Sequence, residues 1–294
     1  LLNMDLNIYG VDRVFLSSVR DVLAYPSDNE ILVKQGRDFS MGGTLIAGQG
    51  GRFRIDSEFI DFDYEDFKLY FKEASAEIWV PNNRGELDQK GMLVLEPLQS
   101  FLSISNGELL VDTSINKSGI WKEDYPQYPI IRSYDRSKVY YDRAEVFNGV
   151  YNRENFFFDL EPFEMDSLDS YTRESLSFKG DFYSADIFPM FPQAINVQDD
   201  NVLGFKITLP EESSLYAGKG TFSANNNLSL DNNGLRGSGD FQYLTSNTNS
   251  NDYVFFPDSM RTSANTFELQ KNNIGYEFPQ SSGDSVYENW LPYE

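Results

Sequence analysis

Residues 39–80 read FSMGGTLIAGQGGRFRIDSEFIDFDYEDFKLYFKEASAEIWV, and this stretch decides the fold class. Apolar and polar positions alternate along it in short runs, and a period of two is typical of half-buried β-strands. The best helical candidates of the chain, Gly91–Phe101 and Ser137–Phe147, are short and lack good caps, so strand or a single helical turn is expected there. The pattern predicts an antiparallel meander of short strands with tight connections: Ile31–Lys34, Phe39–Ala47, Gly51–Ile55, Phe59–Phe62, Phe67–Phe71 and Ala76–Val80.

Strand patterns return in the second half of the chain after an aromatic, proline-punctuated stretch, Asn116–Phe163. Proline blocks pairing in a central strand, so this stretch is expected to be an edge, a crossing loop or an insertion packed on the sheet. We therefore predict an all-β protein of antiparallel meanders in an extended sheet, groove or solenoid-like architecture. Its segments are an N-terminal meander (1–115), the aromatic insertion (116–175) and a C-terminal meander (176–294), in one continuous architecture.

A glycine pattern recurs beside the strands. An apolar residue, a spacer, glycine, a spacer and an apolar residue occur with small variations at Met41–Leu45, Phe178–Phe182, Lys219–Phe222 and Ser238–Phe241. Glycine beside a strand core indicates a bulge or a close approach of backbone. Its recurrence favours similar meanders laid end to end, although glycine flanks strands throughout β proteins.

The composition excludes several function classes. The chain of 294 residues carries 46 acidic against 24 basic residues, a formal charge of −22, so no nucleic-acid partner is expected. It has no cysteine and no histidine, which excludes disulfides, zinc-thiolate sites, and Ser-His-Asp or Cys-His mechanisms within this chain. Carboxylate, tyrosine, lysine and calcium chemistry remain open. We predict that the chain binds no cofactor. The alternative is a bound Ca²⁺ ion.

The two ends of the chain indicate a segment of a longer protein. The start, Leu1–Asp5, has no charged leader before an apolar run, and the end, Trp290–Glu294, has no polar tail. No stretch of about 18 apolar residues that could span a bilayer as a helix occurs.

Two groups of residues are candidates for binding. Trp121, Tyr125, Tyr128 and Tyr140 could stack on sugar rings as an exposed platform, or pack on their own sheet. Asp61, Asp63 and Asp66 could hold Ca²⁺, but they lack the glycine and distal glutamate of a calcium loop, so a surface carboxylate face is the preferred interpretation. Within Ser229–Gly237, the Asn-Gly pair predicts a hairpin turn, with calcium as the minor alternative.

Seven short stretches carry a resemblance to known proteins: Asn116–Gly119, Asp124–Ile130, Val139–Asp142, Asn148–Tyr151, Asp166–Asp169, Gly234–Gly237 and Ser250–Met260. Through them the chain from about Ile31 onward resembles a family of very large exported proteins of Bacteroidota. More loosely, it is similar to the β-groove bridge proteins that connect the two membranes of Gram-negative cells. The resemblance implies no catalytic residues.

Three tripeptides resemble the Asp-Ser/Thr-aliphatic signal at which Bacteroidota glycosylate exported proteins. They place candidate glycans on Ser167, Ser259 and Ser285. Such tripeptides also arise by chance in a chain rich in Asp and Ser.

The leading functional hypothesis is a non-enzymatic structural or interaction segment of a large cell-envelope protein, acting as a scaffold or bridge. The alternatives are a carbohydrate-binding or adhesive module and a carboxylate-based polysaccharide-processing enzyme. The expected partners are other envelope proteins or the rest of the parent chain, with polysaccharide or lipid as further candidates. The expected location is the periplasm, the outer membrane or the exterior of a Gram-negative bacterium. A lipid bridge would need an open apolar groove, with which the alternation at Phe67, Leu69 and Phe71 is as compatible as with an ordinary core.

Overall fold

The computed structural model describes residues 23–24, 31–33, 39–48, 51–89, 91–117, 121, 123–270 and 290–292. These residues form strands, turns and loops without any helix, as the alternating pattern predicts. The strands are β1 Leu23–Ala24, β2 Ile31–Val33, β3 Phe39–Ala47, β4 Phe53–Asp63, β5 Lys68–Pro81, β6 Leu95–Leu110, β7 Ile130–Ser133, β8 Ser137–Tyr140, β9 Phe156–Leu160, β10 Glu164–Met165, β11 Ser177–Ser184, β12 Phe191–Val197, β13 Leu203–Thr208, β14 Ser213–Leu215, β15 Gly220–Phe222, β16 Asn227–Asp231, β17 Gly234–Tyr243, β18 Ser246–Phe255, β19 Met260–Arg261, β20 Ala264–Gln270 and β21 Trp290–Pro292.

The chain divides into two compact units. Unit 1 comprises Leu1–Tyr140, Phe158–Gly180 and Ala194–Leu203, and unit 2 comprises Tyr141–Phe157, Asp181–Gln193 and Gly204–Glu294. The predicted aromatic insertion, 116–175, contributes residues to both units. The division into three consecutive segments stays a prediction.

Unit 1 is built on an antiparallel meander in which β1 to β6 pair in chain order. The prediction of separate short strands is wrong for β4 and β5, because each is one long strand that covers two of the predicted ones. In β4 the adjacent residues Glu58 and Phe59 both face outward, and in β5 Lys72 and Glu73 do the same. This shift in alternation looks like a strand end in sequence, but it keeps the apolar residues before and after it on one face.

A serine holds the two irregularities of β4 and β5 together. The Ser57 hydroxyl donates to the Lys72 carbonyl oxygen at 2.6 Å and accepts from the Phe59 amide at 3.0 Å. The Lys72 carbonyl and the Phe59 amide therefore have a hydrogen-bond partner in Ser57 at the point where the alternation shifts.

The inner face of the unit 1 meander is a packed core. Phe67, Leu69 and Phe71 expose only 2%, 0% and 1% of their surface. Buried residues outside the meander, such as Leu168 and Phe178, belong to the same unit. These positions therefore line an ordinary core and not an open apolar groove.

Unit 2 contains the predicted Asn-Gly hairpin. Its strands β16 and β17 pair from Asn227↔Ser238 to Asp231↔Gly234, and Gly234 adopts a left-handed φ of 83°. Asn232 and Asn233 form the two-residue turn, and the pairing reaches it without a shift in register. The core of unit 2 is aromatic. The centroid of the Phe222 ring lies 5.5 Å from that of Phe255 and 5.8 Å from that of Tyr253, and both pairs meet edge to face.

The recurrent glycines lie at irregularities, as predicted. The register shifts between Met41 and Gly43 and between Gly237 and Gly239, and Gly239 has a φ of 126°. A side chain at Gly180 would meet the Asp159 backbone, and one at Gly220 would lie 2.8 Å from the Phe241 ring. The interpretation as bulges and close approaches is confirmed, while the repetition of whole meanders stays a prediction.

Candidate functional site

A cavity with a volume of about 700 Å³ lies within unit 2. Binding pockets for small molecules commonly have this size, with aromatic walls and a few polar groups. It is bounded by β17, β18, β19 and β20 and by the segments that follow β11, β14, β18 and β19. Its lining residues are Ala185, Asp186, Tyr216, Lys219, Phe241, Tyr243, Ser246, Thr248, Pro257, Asp258, Ser259, Met260, Thr262, Ala264 and Phe267.

Two cross-strand rows form the floor of this cavity. In one row Phe241 pairs with Thr248, and Thr248 pairs with Phe267. In the next row Tyr243 pairs with Ser246. Residues two apart on a strand share a face, which explains why Phe241 and Tyr243 stack with ring centroids 5.9 Å apart at 26°. The floor therefore alternates rings and hydroxyls.

Tyr216 forms an aromatic wall beside that floor. Its ring meets the Tyr243 ring edge to face at 6.2 Å, and its hydroxyl lies 2.7 Å from the Ser259 carbonyl oxygen and 3.1 Å from that of Phe256. The hydroxyl thus ties the loop after β18 to this wall. Burial is the main cause that raises the pKa of Tyr216, and the nearby Tyr151 adds to it. The Tyr216 hydroxyl is therefore neutral at pH 7.

Charged side chains of both signs lie at the cavity. Asp186 and Lys219 are exposed, and the carboxylate of the exposed Asp258 accepts a hydrogen bond from the Ser259 hydroxyl at 3.0 Å. Aromatic faces combined with hydroxyl, carboxylate and ammonium groups suit a ligand with apolar C–H faces and many hydroxyls.

The predicted aromatic platform belongs to unit 1, and none of its four residues lines this cavity. Trp121 exposes 51% of its surface, whereas Tyr125, Tyr128 and Tyr140 are half-buried. The backbone amide of Trp121 donates to the Asn116 side chain at 3.1 Å, and burial raises the pKa of Tyr128. Its role as a sugar platform stays a prediction.

The three predicted metal ligands each have other partners. Asp61 accepts from the Ser40 hydroxyl, Asp63 accepts from the Asp66 amide at 3.0 Å, and the Asp66 carboxylate lies 3.0 Å from the Lys68 ammonium. In the described part of the chain, no group of three or more acidic side chains is placed to hold a metal ion.

The three candidate glycosylation sites have different surroundings. Ser167 is half-buried with a left-handed φ of 53°, and its amide donates to the Gln127 carbonyl at 2.7 Å. Ser259 is exposed at the cavity described above. Ser285 lies outside the described residues.

One buried carboxylate, Glu108 in β6, lies among cations in unit 1. It exposes 3% of its surface, and its oxygens lie 3.1 Å from the Arg132 guanidinium and 3.6 Å from the Lys68 ammonium. The Tyr70 side chain and the nearby acids raise the pKa of Lys68, so this lysine stays charged. Charge pairing of this kind offsets part of the cost of burying a carboxylate, and it joins β5, β6 and β7.

Sequence reasoning missed the residues of the unit 2 cavity. They come from segments spread between Ala185 and Phe267. Among them the sequence marks only Ser259 as a candidate site, for glycosylation. The alternation of Phe241 and Tyr243 beside Gly239 predicts that both rings share a face, but not that a cavity lies over them.

Comparison with protein families, with curated proteins and with solved structures finds no match for this chain. No helix of the length and hydrophobicity that a bilayer span requires occurs among the described residues.

Proposed function

We propose that this chain is a non-enzymatic structural and interaction segment of an exported cell-envelope protein, and that it binds carbohydrate in the unit 2 cavity. The observation that carries the proposal is the pair of half-buried rings, Tyr243 and Tyr216, that meet edge to face at a cavity of about 700 Å³. The assignment to the cell envelope is supported by the sequence resemblance alone.

The chemistry of the lining supports a sugar ligand. Pyranose rings have apolar C–H faces that pack on aromatic rings, while their hydroxyls need hydrogen-bond partners. The half-buried Tyr243 offers a ring, and Ser246, Thr262 and Asp258 offer donors and acceptors around it. A ligand with hydroxyls can add hydrogen bonds to these groups, whereas a purely apolar ligand cannot.

The scaffold part of the proposal is supported by the way unit 1 uses its charges. Glu108, Arg132 and Lys68 join neighbouring strands, and Arg136 binds the Asp159 carboxylate at 2.6 Å. Carboxylates with such cation partners stabilise the sheet, and no described observation favours the polysaccharide-processing alternative.

The test is calorimetric titration of the full chain with a panel of uncharged oligosaccharides, with assay of reducing ends in the same samples. Tyr243→Ala should weaken binding at least about tenfold, because a stacking ring and its buried area are lost. Tyr183→Ala is the matched control, since Tyr183 is half-buried in unit 2, stacks on Phe157 at 4.8 Å and does not line the cavity.

Tyr183→Ala should bind as the wild type does, and no new reducing ends should form. Absence of binding across the panel, or equal weakening by both variants, would contradict the carbohydrate site. Release of reducing ends would replace the non-enzymatic proposal by the enzymatic alternative.

A further inference from the structure

A second concave surface in unit 2 has a different chemistry, and we call it the amide groove. It has a volume of about 470 Å³ and is lined by Lys206, Ile207, Thr208, Asn227, Leu228, Ser229, Arg236, Gly237, Ser238 and Asn251. None of these lining residues is acidic, although the chain as a whole carries a formal charge of −22.

The strand register explains why the two cations of the amide groove lie on one row. Lys206 in β13 pairs with Ser229 in β16, and Ser229 pairs with Arg236 in β17. Strands are spaced about 4.8 Å apart, so the Lys206 and Arg236 backbones are about 10 Å apart across Ser229. Lys206 is exposed and Arg236 is half-buried.

The next row supplies neutral polar groups. Thr208 donates to the Asn227 side chain at 2.9 Å, and the Asn227 amide donates to the Ser238 hydroxyl at 3.3 Å. The amide and hydroxyl groups of such a ladder hold one another in place and keep further capacity for an incoming ligand.

A bulge shapes the groove and turns a nearby acid away from it. Gly237 pairs with Tyr253 but Gly239 pairs with Ser250, so Ser238 faces two residues of β18, Asn251 and Asp252. Asn251 lines the groove. The Asp252 carboxylate instead accepts hydrogen bonds from the Ser250 hydroxyl at 2.9 Å and the Ser263 amide at 3.0 Å.

We propose that the amide groove binds an acidic polysaccharide, with Arg236 and Lys206 on its anionic groups and the Asn, Ser and Thr side chains on its hydroxyls. The guanidinium fork matches carboxylate and sulfate oxygens, and Lys206 adds a second positive charge on the same row, on the other side of Ser229. The proposal does not depend on the aromatic cavity, because none of its lining residues is shared with the groove.

The test titrates the full chain with a carboxylated probe, oligogalacturonate, a sulfated probe, a heparin-derived oligosaccharide, and an uncharged oligosaccharide of equal length. About 0.15 M salt is used, since it screens the overall negative charge beyond about 8 Å. Arg236→Gln and Lys206→Gln should each weaken binding of the acidic probe about tenfold. Lys179→Gln removes an exposed charge from unit 1 and should change nothing.

Tyr243→Ala should leave binding of the acidic probe unchanged, which separates this site from the aromatic cavity. Circular dichroism of each variant checks its fold. If Arg236→Gln destabilises the sheet, Lys206→Gln still tests the proposal, because Lys206 is exposed. The stronger of the two acidic probes identifies the anionic group. Failure of both acidic probes to bind, wild-type affinity in both groove variants, or equal weakening by Lys179→Gln would overturn the proposal.

Discussion

The hydroxyl of Tyr151 donates a hydrogen bond to the carbonyl oxygen of Phe255 at 2.8 Å, although 104 positions separate the two residues in sequence. The same hydroxyl accepts from the Leu235 amide at 3.0 Å. All three residues are fully buried in unit 2. One phenol therefore satisfies the backbone amide of Leu235, just after the Asn-Gly turn, and the backbone carbonyl of Phe255, at the end of β18.

Replacing Tyr151 by Phe should destabilise the protein by about 1–3 kcal/mol, because the buried Leu235 amide and Phe255 carbonyl lose a partner while the ring remains. Urea unfolding followed by fluorescence measures this change. Tyr183→Phe, which alters a half-buried tyrosine in the same unit, should change stability by less than about 0.5 kcal/mol. Equal effects of the two variants would mean that the hydrogen bonds of Tyr151 contribute little.

Replacing Gly239 by Ala should destabilise the protein by more than about 2 kcal/mol. Gly239 has a φ of 126°, and a methyl group there would collide with the Asn226 side chain. Asn226 cannot easily move, because it donates to the Asp240 carbonyl at 2.7 Å and accepts from the Asp240 amide at 3.1 Å.

Gly85→Ala is the control for backbone strain alone. Gly85 also has a left-handed φ, 63°, but no atom lies within 4 Å of the added methyl group. Its cost should stay near 1–2 kcal/mol. If thermal and urea unfolding rank the two variants the other way, the Asn226 contact does not restrict this bulge.

The stability of the loop around Asp112 should depend on pH. Asp112 exposes 1% of its surface, and this burial raises its pKa. Two hydrogen bonds oppose the rise, one from the Thr113 backbone amide at 2.6 Å and one from the Asn116 side-chain amide at 3.0 Å. The folded state therefore holds the proton more tightly than the unfolded chain. The resulting contribution to stability is fully present below the unfolded pKa and is lost as the pH rises through the folded pKa.

Urea unfolding between about pH 4 and pH 7 tests this dependence against Asp112→Asn, which cannot ionise. The free energy of unfolding of the wild type should fall with rising pH relative to that of the variant. Asp124→Asn, at an exposed position, should show no such relative slope. A constant difference between wild type and Asp112→Asn across this range would contradict the prediction.

The strand content of the protein could be predicted because alternation is a local property. Phe53, Ile55 and Leu69 lie at inward positions whatever strand they pair with. The sequence did not predict that β4 and β5 are each one long strand. Two consecutive outward residues resemble a strand end, and only the pairing of the two strands, with the hydrogen bonds of Ser57, shows that the strand continues.

The aromatic residues show the same limit for the candidate sites. The sequence directs attention to Trp121 and its tyrosines because they are close together in the chain. At the unit 2 cavity, Tyr243 and Phe267 are brought together by the pairing of β17 with β18 and of β18 with β20. Tyr216 directly follows β14, which pairs with β15 and through it with β17.

The sequence by itself determined the all-β class, the hairpin at Gly234, the irregularities at the recurrent glycines and the exclusion of cysteine and histidine chemistry. These features depend on local backbone preference and on composition, which need no knowledge of distant partners. Only the tertiary structure decided where the aromatic cavity and the amide groove lie, and that Asp252 faces away from the latter. The physical reason is that register between strands, set by packing of whole faces, chooses which distant side chains become neighbours.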